Sequence, residues 1–241
     1  MLRLVRVHNW IAPLPAALRA EVQARMRPRR YREGDAIWRI TEPATEAYQI
    51  RHGKVRLGSE SVGGREIVAA MLQPGDCFGE TSLIDGLPRR NNAYAVGETS
   101  LLVLKKQDFT HLYRTHVEVV HALNVKLCYT LRMALTGIED ASVLTLKQRL
   151  ARLLARLGYS FGRGDDHGTA IVKDLSHEDL GRMLGVTRQV VSRALKELEN
   201  EGAIQLRYRH VEIVDLEEFA RKYDALVGSE TLAPNYRPER T

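Results

Sequence analysis

Residues 175–204, LSHEDLGRMLGVTRQVVSRALKELENEGAI, restrict this chain more than any other segment. Ser176 is a good helix N-cap, and Asp179 three residues on makes a weak capping box. A short helix through Leu180, Met183 and Leu184 ends at Gly185, where a left-handed backbone angle is cheap because there is no Cβ. Thr187 is placed to cap a second helix. On that helix Val190, Val191, Ala194, Leu195 and Leu198 recur at helical spacing as one apolar stripe. The opposite face carries Arg188, Gln189, Ser192, Arg193 and Lys196, mostly long hydrogen-bond donors of the kind a helix presents to a DNA major groove. From Gly181 to Lys196 there is no acidic residue and there are four basic ones, Arg182, Arg188, Arg193 and Lys196. The pattern predicts a helix-turn-helix. Its competitor is an amphipathic hairpin with a solvated basic face.

The flanks extend this reading. LTLKQRLARLLARLGYSF reads as a helix with Leu146, Leu150, Leu153, Leu154 and Leu157 on one side, and GRGDDHG as a polar loop. After the second helix AIQLRYRHVEIVD reads as a two-stranded wing, with Arg207, Arg209 and His210 near its tip as phosphate contacts. The segment 142–227 is therefore expected to be a winged helix-turn-helix DNA-binding domain. The polar, Pro-containing stretch 228–241 is expected to be a disordered tail.

Upstream the pattern differs. Residues from about 10 to 25 suit a short amphipathic helix with Leu14, Leu18 and Val22. From about 28 to 106 short β-prone runs (AIWRI, AYQI, KVRLG, EIVAAML, NAYAV, SLLVLK) alternate with turn signals such as His52-Gly53, Pro74-Gly75-Asp76 and Asp85-Gly86. That spacing predicts a small barrel or sandwich, a sensor domain over 1–107. The arginines from Arg25 to Arg32 suit a solvated strand edge.

A long helical stretch is expected from about Asp108 to Ile138, within a dimerisation segment 108–141. One heptad register puts Val117, Asn124, Leu131 and Ile138 at a, and Tyr113, Val120, Leu127 and Ala134 at d. A lone Asn at a commonly fixes the register of a parallel pair. Packing on its own domain is the competing use of such a helix, and a two-fold DNA reader favours the dimer. The pattern weakens near Glu139–Ser142, where a hinge is expected.

Composition excludes several classes. The chain has 241 residues, 44% hydrophobic and 27% charged, with net charge +6. That balance fits a globular protein with an affinity for polyanions. No apolar run approaches the roughly 18 residues of a membrane span, and the N-terminus has no uninterrupted apolar core for a secretion signal. The two cysteines, Cys77 and Cys128, have no metal-ligand spacing. A cytoplasmic protein is expected. No nucleophile–base motif, phosphate-binding loop or dinucleotide fingerprint points to catalysis, and an N-terminal cysteine cluster for an iron–sulfur centre is absent.

The order β-rich domain, long helix, winged helix is similar to that of the cyclic-AMP receptor protein and fumarate-nitrate regulator (CRP/FNR) family of bacterial transcription factors. FGETSLIDGLPR at Phe78–Arg89 and GVTRQVVSRALKELENEGAI at Gly185–Ile204 carry the resemblance, which spans about residues 10–226. It implies an α+β fold: an N-terminal cyclic-nucleotide-binding-type β-roll, a long dimerisation helix and a C-terminal winged helix-turn-helix. It further implies a homodimer on double-stranded palindromic DNA, acting with RNA polymerase and away from membranes. Ser176, His177, Thr187, Arg188, Gln189, Ser192, Arg193, Lys196, Arg207 and Arg209 would form the DNA surface, Arg188 and Arg193 reading guanine. The first motif implies a phosphate-binding cassette of Gly79, Glu80, Thr81, Arg89 and Arg90, with Glu80 on a ribose hydroxyl and Arg89 on the phosphate of cyclic AMP or another cyclic nucleotide. The alternative is that Gly79 and Glu80 cap a structural helix and Arg89 pairs with Glu80.

The chain departs from the nucleotide binders in two places. Arg90 and Asn91 follow the cassette arginine where Ser or Thr and then Ala are usual, and Ala134 and Leu135 fall where small hydroxyl residues contact adenine. A different small effector stays open beside a cyclic nucleotide. In the second helix Gln189 replaces the Glu of the receptor's Arg-Glu-x-x-x-Arg pattern. A rival function is a cyclic-nucleotide-binding module acting on a protein partner.

Overall fold

The computed structural model describes residues 8–60, 66–161, 163–164, 168–173, 176–208 and 210–224. The chain divides into two compact units between Arg132 and Met133.

The N-terminal unit begins with α1 (Ala16–Arg25), which buries Leu18 and Val22, with Leu14 buried just before it. The strands β1 (Arg27–Tyr31), β2 (Ala36–Trp38), β3 (Glu46–Glu60), β4 (Glu66–Leu72) and β5 (Cys77–Phe78) follow. Then come α2 (Thr81–Ile84), β6 (Asn92–Lys105) and α3 (Lys106–Thr115). The strands form one antiparallel sheet in the order β1-β6-β3-β4, with β2 on β6 and β5 on β3. Inside it Trp38, Tyr48 and Phe78 pack with ring centroids 5.2–5.5 Å apart, against Ile50, Val55 and Leu101. A second apolar cluster holds Trp10, Ile11, Val22, Phe109 and Leu112. β1 is largely exposed, as the arginine run suggested, and Arg29 forks onto Glu46 through two 2.7 Å bonds.

One expected turn is not a turn. AYQI and KVRLG belong to the single strand β3, whose register against β6 shifts on both sides of His52. Gly53 has φ +81°, and a Cβ there would lie 2.5 Å from the Glu98 carbonyl oxygen. The glycine marks a bulge within a strand, which bends it without ending it. NAYAV and SLLVLK likewise join into β6.

The long helical stretch expected from Asp108 to Ile138 is broken. His116 is extended (φ −126°, ψ 110°), so Tyr113 ends up in α3, stacked on Phe109 at 5.9 Å, outside any continuous heptad. The second helix, α4, runs Val117–Val143, beyond the hinge expected at 139–142. The helical run breaks instead at Leu144-Thr145.

The second unit contains α5 (Leu146–Phe161), β7 (Arg163–Gly164), β8 (Ala170–Lys173), α6 (His177–Leu184) and α7 (Arg188–Asn200). β9 (Ile204–Arg207), β10 (His210–Ile213) and α8 (Leu216–Asp224) complete it. Its core joins Leu150, Leu154, Leu180, Val191, Leu195, Leu198 and Phe219. The expected two-stranded wing is the outer half of a four-stranded sheet, β7-β8-β10-β9. Part of the expected polar loop is strand, since Arg163 and Gly164 pair with Ile171 and Ala170. The sequence reading missed α8, which buries Phe219, Ala220 and Tyr223. Asp140, near the end of α4, is buried with its carboxylate 2.9 Å from Arg152 Nε and 3.1 Å from Arg156, both on α5.

Candidate functional site

In the N-terminal unit, Gly79 leads from β5 towards Glu80, the N-cap residue of the four-residue α2. Thr81 and Arg90 are exposed; Glu80 and Arg89 are buried. Arg89 does not pair with Glu80. Its guanidinium donates to the Gly79 carbonyl (2.6 Å) and to the Glu46 carbonyl, and lies 4.2 Å over the Trp38 ring. Burial pulls this guanidinium below its ordinary range, although Tyr48 and the Glu80, Glu46 and Glu42 carboxylates act the other way. Glu80 is instead held by a residue that sequence reasoning missed. Lys126 of α4 places its ammonium 2.6 Å from Glu80 Oε1.

Glu80 Oε2 and Arg89 Nε are buried with no hydrogen bond among the described residues. A native core seldom leaves such groups unmet. An open carboxylate acceptor and an open guanidinium donor fit a ligand that brings both a hydroxyl and an anionic group. The departures at Arg90 and Asn91 lie outside this buried pair. Arg90 faces solvent, and Asn91 lends its carbonyl to Trp38 Nε1 at 2.8 Å.

In the second unit, Ser176 caps α6 through the reciprocal bonds of a capping box with Asp179. Gly185 takes φ +70°, the left-handed angle the turn needs. Thr187 occupies the N-cap of α7, yet its side chain makes no capping bond. The helix buries Val191, Ala194, Leu195 and Leu198; Val190, expected in this stripe, is 37% exposed. A stripe of four at i, i+3, i+4 and i+7 is as wide as one helix can seat against this core, and Val190 lies beyond its edge.

Arg188, Gln189, Arg193 and Lys196 are exposed on the other face, with Ser192 half-buried beside them. Lys196 pairs with Glu199 at 2.6 Å and Arg182 with Glu178 at 2.7 Å. His177 Nδ1 lies 2.8 Å from Ser192 Oγ. On the wing Arg207 is exposed and bonds Gln205, while Tyr208 is 89% exposed. Arg209 lies outside the described residues.

Along α4, Val117, Asn124, Leu131, Ala134 and Ile138 are exposed, while Val120 and Leu127 are half-buried. The outward apolar face also includes Val125 and Leu135, which the heptad register did not select. The inward face is Val119, Ala122, Leu123 and Lys126, itself an i, i+3, i+4, i+7 pattern. A lysine closing that pattern was the available signal for its buried role. Among the described residues no helix is long and apolar enough to cross a membrane, and no group of three or more His, Cys, Asp or Glu could hold a metal ion.

Comparison with known proteins agrees with both units. The profile of the cyclic nucleotide-binding domain matches residues 28–116, and that of the Crp-like helix-turn-helix domain matches 148–222. The chain is 33% identical over 195 residues to the cyclic AMP receptor protein of Thermus thermophilus, covering 80% of this chain and 87% of that protein. It is 27% identical over 208 residues to the CRP-like cAMP-activated global transcriptional regulator of Mycobacterium tuberculosis, covering 86% and 92%. The solved structure of a CRP/FNR-family transcriptional regulator from Thermus thermophilus superposes with TM-score 0.65 at 25% identity, covering 84% of this chain and 99% of that one. With a nucleotide-binding-type sheet domain, a long helix and a helix-turn-helix in this order, the chain belongs to the CRP/FNR family of transcription regulators.

Proposed function

We propose that two copies of this chain pair through α4, bind a palindromic duplex, and regulate transcription in response to a cyclic nucleotide held in the N-terminal sheet domain. One observation carries the DNA reading. α7 packs one face into the core and leaves Arg188, Gln189, Arg193 and Lys196 on the other, beside a capped α6 and an exposed wing. In this reading Arg188 and Arg193 read guanine and Gln189 an adenine edge. Ser176, His177, Thr187, Ser192, Arg207 and Arg209 meet phosphates or the groove rim, with Lys196. Glu80 takes a ribose hydroxyl and Arg89 the cyclic phosphate, with Gly79, Thr81 and Arg90 around them. Val117, Val120, Asn124, Leu127, Leu131, Ala134 and Ile138 form the dimer seam. The protein works in the cytoplasm with RNA polymerase and catalyses no reaction of its own.

Binding selection on randomised duplexes, with and without cyclic AMP, tests this. A two-fold symmetric motif should emerge, enriched more strongly with the nucleotide, and its affinity should fall steeply with salt. Gln189→Glu should change the base recovered opposite residue 189 from adenine towards cytosine, because glutamate only accepts hydrogen bonds. Equal affinity for all duplexes would refute sequence-specific reading.

A further inference from the structure

α4 buries Val119, Ala122 and Leu123, and the next position of that stripe is Lys126. Its ammonium donates to Glu80 Oε1 and to the Cys77 carbonyl, each at 2.6 Å, and the Lys126 and Glu80 side chains are 6% and 5% exposed. An apolar residue would complete the stripe with no charge to desolvate, and buried ion pairs are a poor source of net stability. The pair therefore calls for another role. Lys126 satisfies one carboxylate oxygen only; Glu80 Oε2, equally buried, has no hydrogen bond among the described residues.

We propose that Lys126 is a positioning residue of the effector pocket. It anchors Glu80 through Oε1, balances its charge, and leaves Oε2 as the one ionised acceptor offered to a sugar hydroxyl. This rests on the cyclic-nucleotide reading above and adds a specificity to it. The site discriminates ribose from 2′-deoxyribose because a buried charged acceptor is left unmet when the hydroxyl is missing, and that discrimination depends on Lys126. Neutralising position 126 leaves the buried carboxylate without its counter-charge and without the anchor on Oε1. An unanchored carboxylate no longer holds Oε2 at the hydroxyl and no longer distinguishes the two sugars sharply.

Titration calorimetry on the full chain, with cyclic AMP and 2′-deoxy cyclic AMP, tests the assignment. The wild type should bind the deoxy ligand roughly tenfold or more weakly, the loss expected for a hydrogen bond to a charged group. In Lys126→Met this ratio should fall towards one. Lys126→Arg, which keeps the charge, should restore it. Lys126→Gln, a milder neutral change, serves if the Met variant does not fold. His8 and Asp76 also face this pair and are present in every variant, so they leave the comparison of ratios unchanged. A purely structural lysine would weaken both ligands equally and leave the ratio intact. Folded variants with the wild-type ratio overturn the role of Lys126 alone. A wild type that binds neither ligand overturns the cyclic-nucleotide reading, and this inference with it.

Discussion

His177 Nδ1 sits 2.8 Å from Ser192 Oγ and ties the first residue of α6 to the second turn of α7. Ser192 donates its own hydroxyl proton to the Arg188 carbonyl at 2.9 Å, so the imidazole Nδ1–H is the donor to Ser192. The link fixes the two helices from the exposed side, while Leu180, Val191 and Leu195 fix them from the core.

A pH dependence follows. Burial, reinforced by the Arg188 charge, holds His177 below its ordinary value of 6.5. The unfolded chain then binds a proton more readily than the folded one. The stabilisation is fully present above pH 6.5 and is lost as pH falls below it. Thermal unfolding between about pH 7.5 and 5.5 should show this loss in the wild type and a smaller one in His177→Asn, whose amide can still donate to Ser192. Parallel curves for the two proteins would assign the acid sensitivity elsewhere.

Asp140 gives a stability prediction. Its carboxylate is 2.9 Å from Arg152 Nε, with side-chain exposures of 4% and 2%. Asp140→Ala takes away the carboxylate facing a buried guanidinium and should cost about 3 kcal/mol in urea unfolding, the scale for breaking a buried pair. Asp140→Asn keeps an acceptor and should cost less. An unchanged midpoint for Asp140→Ala would show that the pair is energetically neutral.

For DNA, Arg193→Ala should reduce binding to the selected duplex by about 1–3 kcal/mol while barely changing binding to random sequence, as expected for a base contact. Fluorescence anisotropy on both duplexes measures the two losses. Equal losses would make Arg193 a phosphate contact.

Leu131 is 61% exposed in the single chain. Leu131→Asp should therefore leave the subunit folded and split the dimer, since a charge at the seam of two helices is left without water. Sedimentation should show monomers where the wild type sediments as dimers. Dimers in the variant would place the interface off this face of α4.

The helix-turn-helix was legible because its determinants are local. Ser176 and Asp179 close their capping box within one turn, Gly185 supplies the positive φ, and four apolar residues at helical spacing choose the buried face of α7. Phe78–Arg89 suggested cassette residues through a resemblance rather than a physical derivation. What the sequence left open depends on groups far apart along the chain. Glu80 meets Lys126 from 46 residues away, and Arg89 reaches the Glu46 carbonyl from 43. No periodicity reveals which distant partner a buried charge will find. Strand ends escaped for a related reason: Gly53 reads as a turn until pairing with β6 makes it a bulge. On α4 the apolar pattern alone left two uses open, a seam and a core contact. Only the packed N-terminal unit decided that Val119, Ala122, Leu123 and Lys126 turn inward and Leu131 outward, because a helix's buried face is set by the surface it meets.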